Sequence, residues 1–191
     1  MNPKGGNRSV RKTKDKLRYA LTELLKEKPV KSITVREIAD LVDINRGTFY
    51  LYYKDIYDMV EKIENEMLEE FNEIVELRVE NSKSGSPNPI LADVFTFLAD
   101  NADMCIALLG PNGDLAFVNK LKELVRERCL YYWTEIYNAN STKYFDYFYS
   151  FFTSGCVGML EEWLKNDMKE SPEDLAKILD LMIMNGVKAL G

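Results

Sequence analysis

Histidine is absent from all 191 residues. Its absence removes the commonest general base, most zinc sites, the facial-triad iron sites and every Ser-His or Cys-His nucleophile pair. Cysteine is scarce: Cys105, Cys129 and Cys156 are widely spaced, each among apolar neighbours. An odd, scattered set fits buried free thiols rather than a disulfide framework or a zinc site. No apolar run approaches the ~20 residues that a membrane-spanning helix needs, and Met1 to Val10 holds no signal-peptide core. Phosphate loops are missing too, because the Gly110-Pro111-Asn112-Gly113 turn lacks the Lys and Ser/Thr of a P-loop. Adjacent carboxylates such as Glu69/Glu70 and Glu161/Glu162 lie in helical stretches and diverge, as a solvated surface does. The expectation is a cytoplasmic protein that is not an enzyme and has no metal, no cofactor and no membrane partner.

What is present is ordinary in amount and uneven in distribution. Apolar residues make up 46% and charged residues 29%, the balance of a globular chain. A chain of this length forms one or two domains and buries roughly 70% of its extended surface. The net charge of −6 conceals two opposed halves. Residues 1–54 carry 13 Lys+Arg against 6 Asp+Glu, a net of +7, and residues 55–191 carry 12 against 25, a net of −13. A basic segment on an acidic body suits a nucleic-acid reader, attracted to phosphate at one end and repelled elsewhere. Charge alone also allows a basic terminus that is merely well solvated.

Helical spacing runs the length of the chain. Residues 1–9 read as a mobile basic arm, followed by a helix from Val10 to Lys28 with the stripe Leu17, Ala20, Leu21, Leu24 and Leu25. Pro29 ends it. Thr34 and Glu37 make a capping box for a helix over Val35–Val42, and Asn45 caps a short helix from Arg46 to about Tyr53. Asp55 caps a long helix striped by Ile56, Met59, Val60, Ile63, Met67, Phe71, Ile74 and Val75. A linker follows over residues 81–89. Further helices are expected near Ile90–Asn101, Met104–Leu109, Asp114–Tyr137, Tyr144–Asp167 and Pro172–Leu190, the last started by Ser171 and Asp174. No strand pattern competes. The fold class is all-α with about nine helices: a three-helix domain with a helix-turn-helix over residues 1–54 and a larger helical domain over 55–191.

Two short helices joined by a turn of about three residues have the spacing of a helix-turn-helix, whose second helix fits the major groove. Ile38, Ala39, Val42, Ile44, Phe49 and Tyr53 point inward and fix the angle between the two. Arg46, Gly47, Thr48, Tyr50, Leu51 and Tyr52 are left outward or at the rim. Gly47 lets the backbone approach a base edge or phosphate; Thr48, Tyr50 and Tyr52 offer hydroxyls, Arg46 a fork for guanine or phosphate, and Lys54 a phosphate clamp. The same spacing also occurs in helical hairpins that read nothing.

The stretch Ile33-Thr34-Val35-Arg36-Glu37-Ile38-Ala39, followed by Asn45-Arg46-Gly47-Thr48-Phe49-Tyr50-Leu51-Tyr52-Tyr53-Lys54-Asp55, resembles the DNA-binding domain of the TetR family of bacterial regulators. Residues Leu108 to Asp114 and Gly155 to Leu164 resemble the branch typified by dihydroxyacetone kinase regulators. The resemblance implies a two-fold homodimer on a near-palindromic double-stranded operator, nucleoid-associated when bound, with residues 55–191 as a helical effector-binding and dimerisation domain for a small-molecule effector of unknown identity. It implies that Thr34 and Arg36 face phosphate. Arg46, Gly47 and Thr48 then lie nearest the bases, and Tyr50, Tyr52 and Lys54 contact phosphate. Two positions depart from the pattern. Asp43 stands where a turn glycine is usual, and Tyr52 where this branch often has histidine, which makes its contact neutral.

The last two helices are apolar on more than one face. Phe148, Phe152, Gly155, Met159 and Trp163 form one stripe of the eighth, while Phe145, Tyr149, Cys156, Leu160 and Leu164 form another. The ninth is apolar nearly all round. A helix pair on the outside of a subunit needs one buried stripe, so the second implies a partner. Gly155 and Gly158 each cost about 1 kcal/mol in a helix interior, which close helix contact would recover. The expected four-helix dimer interface involves Phe152, Gly155, Met159, Trp163, Ile178, Met182 and Ile183; the other arrangement is a hairpin internal to a larger core. Phe95, Met104, Phe117, Trp133, Tyr137, Tyr147 and Phe148 are candidates to line an effector pocket, and at helical spacing they serve equally as plain core. The function expected is a repressor controlled by an effector. The alternative is a dimeric helical interaction or ligand-binding module without specific DNA binding.

Overall fold

The computed structural model describes residues 4–81, 88–110, 112, 115–131 and 144–188. Among the described residues there are nine α-helices and no strand, so the all-α expectation holds. They are α1 (Lys4–Glu27), α2 (Val35–Leu41), α3 (Arg46–Tyr50), α4 (Ile56–Asn81), α5 (Asn88–Asp100), α6 (Ala102–Leu109), α7 (Leu115–Tyr131), α8 (Phe145–Lys165) and α9 (Pro172–Lys188). The chain divides into two compact units, one of Met1–Met67 with Asp103–Phe117, the other of Leu68–Ala102 with Val118–Gly191. This division differs from a boundary drawn at 54/55, because Ile56, Met59, Val60, Ile63 and Met67 of α4 are all buried in the first unit.

In that unit, α1 buries the expected stripe Leu17, Ala20, Leu21 and Leu25. It begins at Lys4 rather than Val10, so residues 4–9 are helix and not a mobile arm. A helix anchored downstream extends cheaply, one hydrogen bond per added residue, and the Thr13 hydroxyl donates to the Ser9 carbonyl at 3.1 Å. After Pro29 comes a single 3-10 turn over Val30–Ser32, which the apolar periodicity does not signal. The core is completed by Ile38 and Ala39 of α2, Phe49 of α3 and Leu108 of α6. Helix α6 is fastened to α1 by polar contacts as well. The buried Thr22 hydroxyl donates to Met104 Sδ at 3.7 Å, and Lys26 Nζ meets Asp103 Oδ1 at 2.7 Å.

In the second unit α5 packs chiefly on α9, and α8 also touches α9. Val75 and Ile90 are buried together with Phe71 and Val94 against them. Phe95 meets Trp163 edge-on at 5.6 Å, and the Trp163 indole N–H donates to the Glu170 carbonyl at 3.0 Å. Arg126 of α7 pairs with Asp146 of α8 at 2.6 Å, beside a bond from the Tyr149 hydroxyl to the Lys122 carbonyl. The start of α9 is as its sequence signal predicts: Ser171 Oγ accepts from the Asp174 amide at 3.2 Å. Asn88 and Pro89, read as linker, are the first residues of α5.

Candidate nucleic-acid interface

Local chemistry fixes the two short helices before any tertiary contact does. Thr34 Oγ1 accepts from the Glu37 amide at 3.3 Å while the Glu37 carboxylate accepts from the Thr34 amide at 3.0 Å, a complete capping box. Lys28 also pairs with Glu37. The hydrogen bond from Lys28, then those from Thr34, hold the Glu37 carboxyl down at about 2, from an ordinary 4.5. The turn passes through Asp43 at φ 52°, the left-handed conformation that a glycine would adopt without strain. The Asn45 side chain then accepts from the Gly47 amide at 2.8 Å and starts α3. A β-carbon on Gly47 would stand 3.3 Å from that same Asn45 oxygen, so the cap and the glycine fit each other closely.

α3 is held from behind. Phe49 is fully buried and packs against Tyr53 at 5.6 Å. Burial also pushes the Tyr53 phenol up to about 12. Beyond the helix, Lys62 donates to the Tyr52 carbonyl at 3.2 Å and pairs with Asp58 at 2.8 Å. The Lys62 hydrogen bond lowers the Asp58 carboxyl from its ordinary value, and so does the Lys54 amide that donates to it at 2.9 Å. This clasp is absent from the expectations drawn from helical spacing. Its signal was the i, i+4 spacing of Asp58 and Lys62.

The predicted contact residues share one region with different degrees of freedom. Arg46, Gly47, Tyr50 and Lys54 are exposed, Tyr50 at 58%, and Thr48 and Tyr52 are half-buried. Among the described residues neither Arg46 nor Lys54 enters an ion pair. Thr34 and Arg36 are exposed as well, but the Thr34 hydroxyl is engaged in the capping box, and Arg36 Nε lies 3.3 Å from Asp40.

The other candidate residues lie in varied surroundings. Phe95 is packed on Trp163, and Met104 accepts from Thr22, and both are buried. Phe117 is buried too, and Phe148 is half-buried and stacked on Phe152 at 5.8 Å. Tyr147, expected to line a pocket, is instead 78% exposed. Trp133 and Tyr137 lie outside the described residues. Of the expected interface residues, Trp163 and Ile183 are buried within the chain itself and are corrected to core. Phe152 and Met159 are half-buried, while Gly155, Ile178 and Met182 are exposed. A β-carbon on Gly155 or Gly158 would meet no described atom within 4 Å. The outward apolar stripe of α8 is Tyr147 and Phe151, one residue off the expected Phe148 and Phe152; Phe151 is 81% exposed. On α9, Ile178, Leu181 and Met182 form its counterpart.

Residues 19–63 match the model of the bacterial regulatory proteins of the tetR family, and residues 85–185 match the model of a transcriptional regulator C-terminal region. The chain belongs to the TetR family. Regulators of this family bind DNA and dimerise. A stretch of 53 residues is 38% identical to the HTH-type transcriptional regulator YxbF of Bacillus subtilis, which is 28% of this chain and 14% of that protein's length. The fold is similar to that of the fatty acid degradation regulator FadR from Bacillus halodurans, with a TM-score of 0.68 at 15% identity over 91% of this chain and 95% of that one. It is also similar to the dihydroxyacetone kinase operon activator DhaS, with a TM-score of 0.54 at 14% identity over 93% and 97% of the two chains. No helix among the described residues is long and apolar enough to cross a membrane.

Proposed function

We propose that this TetR-family regulator is a cytoplasmic homodimer that binds a near-palindromic operator, represses transcription there and is released by a small-molecule effector. The observation that carries the reading is α3 itself. Buried Phe49 pins the helix from behind, while Arg46, Gly47 and Tyr50 stand exposed on a segment of net charge +7. Arg46 and Thr48 are the base-proximal polar groups, and Tyr50, Tyr52 and Lys54 take phosphate. Thr34 and Arg36 add phosphate contacts once their own partners yield. The second subunit covers Phe151 on α8 and Ile178, Leu181 and Met182 on α9, with Gly155 allowing close approach. The half-buried stacked rings of Phe148 and Phe152 favour an effector with apolar surface.

Duplexes selected from random DNA by the whole chain supply the operator for a binding assay. The double variant Arg46→Ala, Tyr50→Ala is expected to lower operator affinity at least tenfold, since a good base contact is worth about 1–3 kcal/mol and each dimer loses two. It is also expected to flatten the salt dependence by roughly 0.9 in log–log slope for each phosphate left without its protein partner. Unchanged affinity, or binding indifferent to sequence in the unaltered protein, refutes the assignment and favours a module without specific DNA binding.

A further inference from the structure

The direction opposite Phe49 is the direction in which α3 meets what it reads, because Phe49 is its buried anchor. At about 100° per residue, Gly47 and Leu51 each lie two positions from Phe49 and point within about 20° of that direction, one on either side. Leu51 keeps helical backbone angles, φ −70° and ψ −24°, so the same geometry extends to it. Its exposure agrees: at 78% it is the most exposed large apolar side chain among the described residues of the first unit. Thr48 and Tyr50 stand about 80° to either side. The centre of the outward face therefore presents a glycine, with no side chain, and a hydrocarbon.

A leucine has no donor or acceptor to offer a base edge. Set over purine N7 or O6, it would strip water from an acceptor and return no hydrogen bond. The major groove carries one projecting apolar group, the C5 methyl of thymine. The net charge of +7 over residues 1–54, with Arg46 and Lys54 exposed in the same segment, fits a polyanion at this face rather than an apolar protein surface. Gly47, with no side chain, leaves Leu51 unobstructed on its neighbouring side. We propose that Leu51 is a specificity-determining residue that packs on the C5 methyl of one thymine in each operator half-site. The proposal rests on the DNA-binding reading above and goes beyond it by naming the base.

The test replaces each thymine of the selected operator by deoxyuridine, which keeps every hydrogen-bonding group and removes only the methyl. Affinity is followed by fluorescence anisotropy for the unaltered chain and for Leu51→Ala. One thymine per half-site is expected to show a loss of about fourfold for the unaltered chain, the equivalent of one buried methyl group. The loss disappears in Leu51→Ala, while affinity for random duplex and its salt dependence stay unchanged. A deoxyuridine penalty that persists in Leu51→Ala, or no penalty at any thymine, overturns the proposal and leaves operator binding standing. Failure to select any operator is a separate result, and it removes the DNA-binding reading together with the proposal.

Discussion

Phe49 and Leu51 are two residues apart and face opposite ways, so truncating each to alanine sets burial against exposure on one short helix. Phe49 is fully buried, touches Tyr53 at 5.6 Å and meets Tyr50 edge-on at 5.5 Å. Removing its ring forfeits the transfer free energy of the aromatic carbons and leaves a cavity in a core of fully buried side chains that relaxes only in part. The expected destabilisation is about 3–5 kcal/mol. Leu51→Ala removes a side chain that is already in water and is expected to stay within about 0.5 kcal/mol. Native-state hydrogen exchange reads both. The amides of Ile44, Tyr52 and Tyr53 are bonded to the carbonyls of Ala39 and Phe49 at 3.0–3.1 Å and report on opening of this unit. In Phe49→Ala their protection should fall by roughly two to four orders of magnitude, each tenfold being about 1.4 kcal/mol. A fall of less than tenfold, or an equal fall in Leu51→Ala, refutes the orientation of α3 on which the interface depends.

Other measurements test the cap and the dimer. Because the Glu37 carboxyl is held at about 2 in the folded chain against an ordinary 4.5, its stabilising contribution is fully present above about pH 4.5 and is lost as the pH falls toward 2. The stability difference between the unaltered chain and Glu37→Gln should therefore shrink across that window; a difference constant from pH 6 to pH 2.5 contradicts the charge-based origin. Phe151→Glu combined with Leu181→Glu alters two exposed side chains and should convert a dimer to a helical monomer in sedimentation analysis. A dimer that survives both charges places the interface elsewhere.

The parts of the fold legible in the sequence are those set by near neighbours. The capping box at Thr34 and Glu37, the Asn45 cap, the Ser171 cap and the left-handed Asp43 each depend on atoms within a few residues. The inward pair Phe49 and Tyr53 follows from helical spacing alone. What stayed illegible depends on distant packing. α8 is apolar around most of its circumference, so its pattern does not say which stripe faces out, and a shift of one residue turns the face by about 100°. Trp163 looked available for a partner because its actual neighbours, Phe95 of α5 and the Glu170 carbonyl, are brought to it by the fold. The aromatics assigned to an effector pocket were drawn from both compact units, and composition does not distinguish a ring that lines a cavity from one that fills it.

The membership of α6 in the first unit has a consequence for how the molecule is made. Met104, Cys105, Ala107 and Leu108 are buried there, yet they follow Met67 by a long excursion through the other unit. A nascent chain emerging at ~5–20 residues per second holds α1 for some seconds before α6 and its contact with Thr22 arrive. A fragment ending at residue 54 or 67 would lack the buried side chains that α6 adds to this core. The first unit is thus completed only after the span between Met67 and Asp103 has left the ribosome.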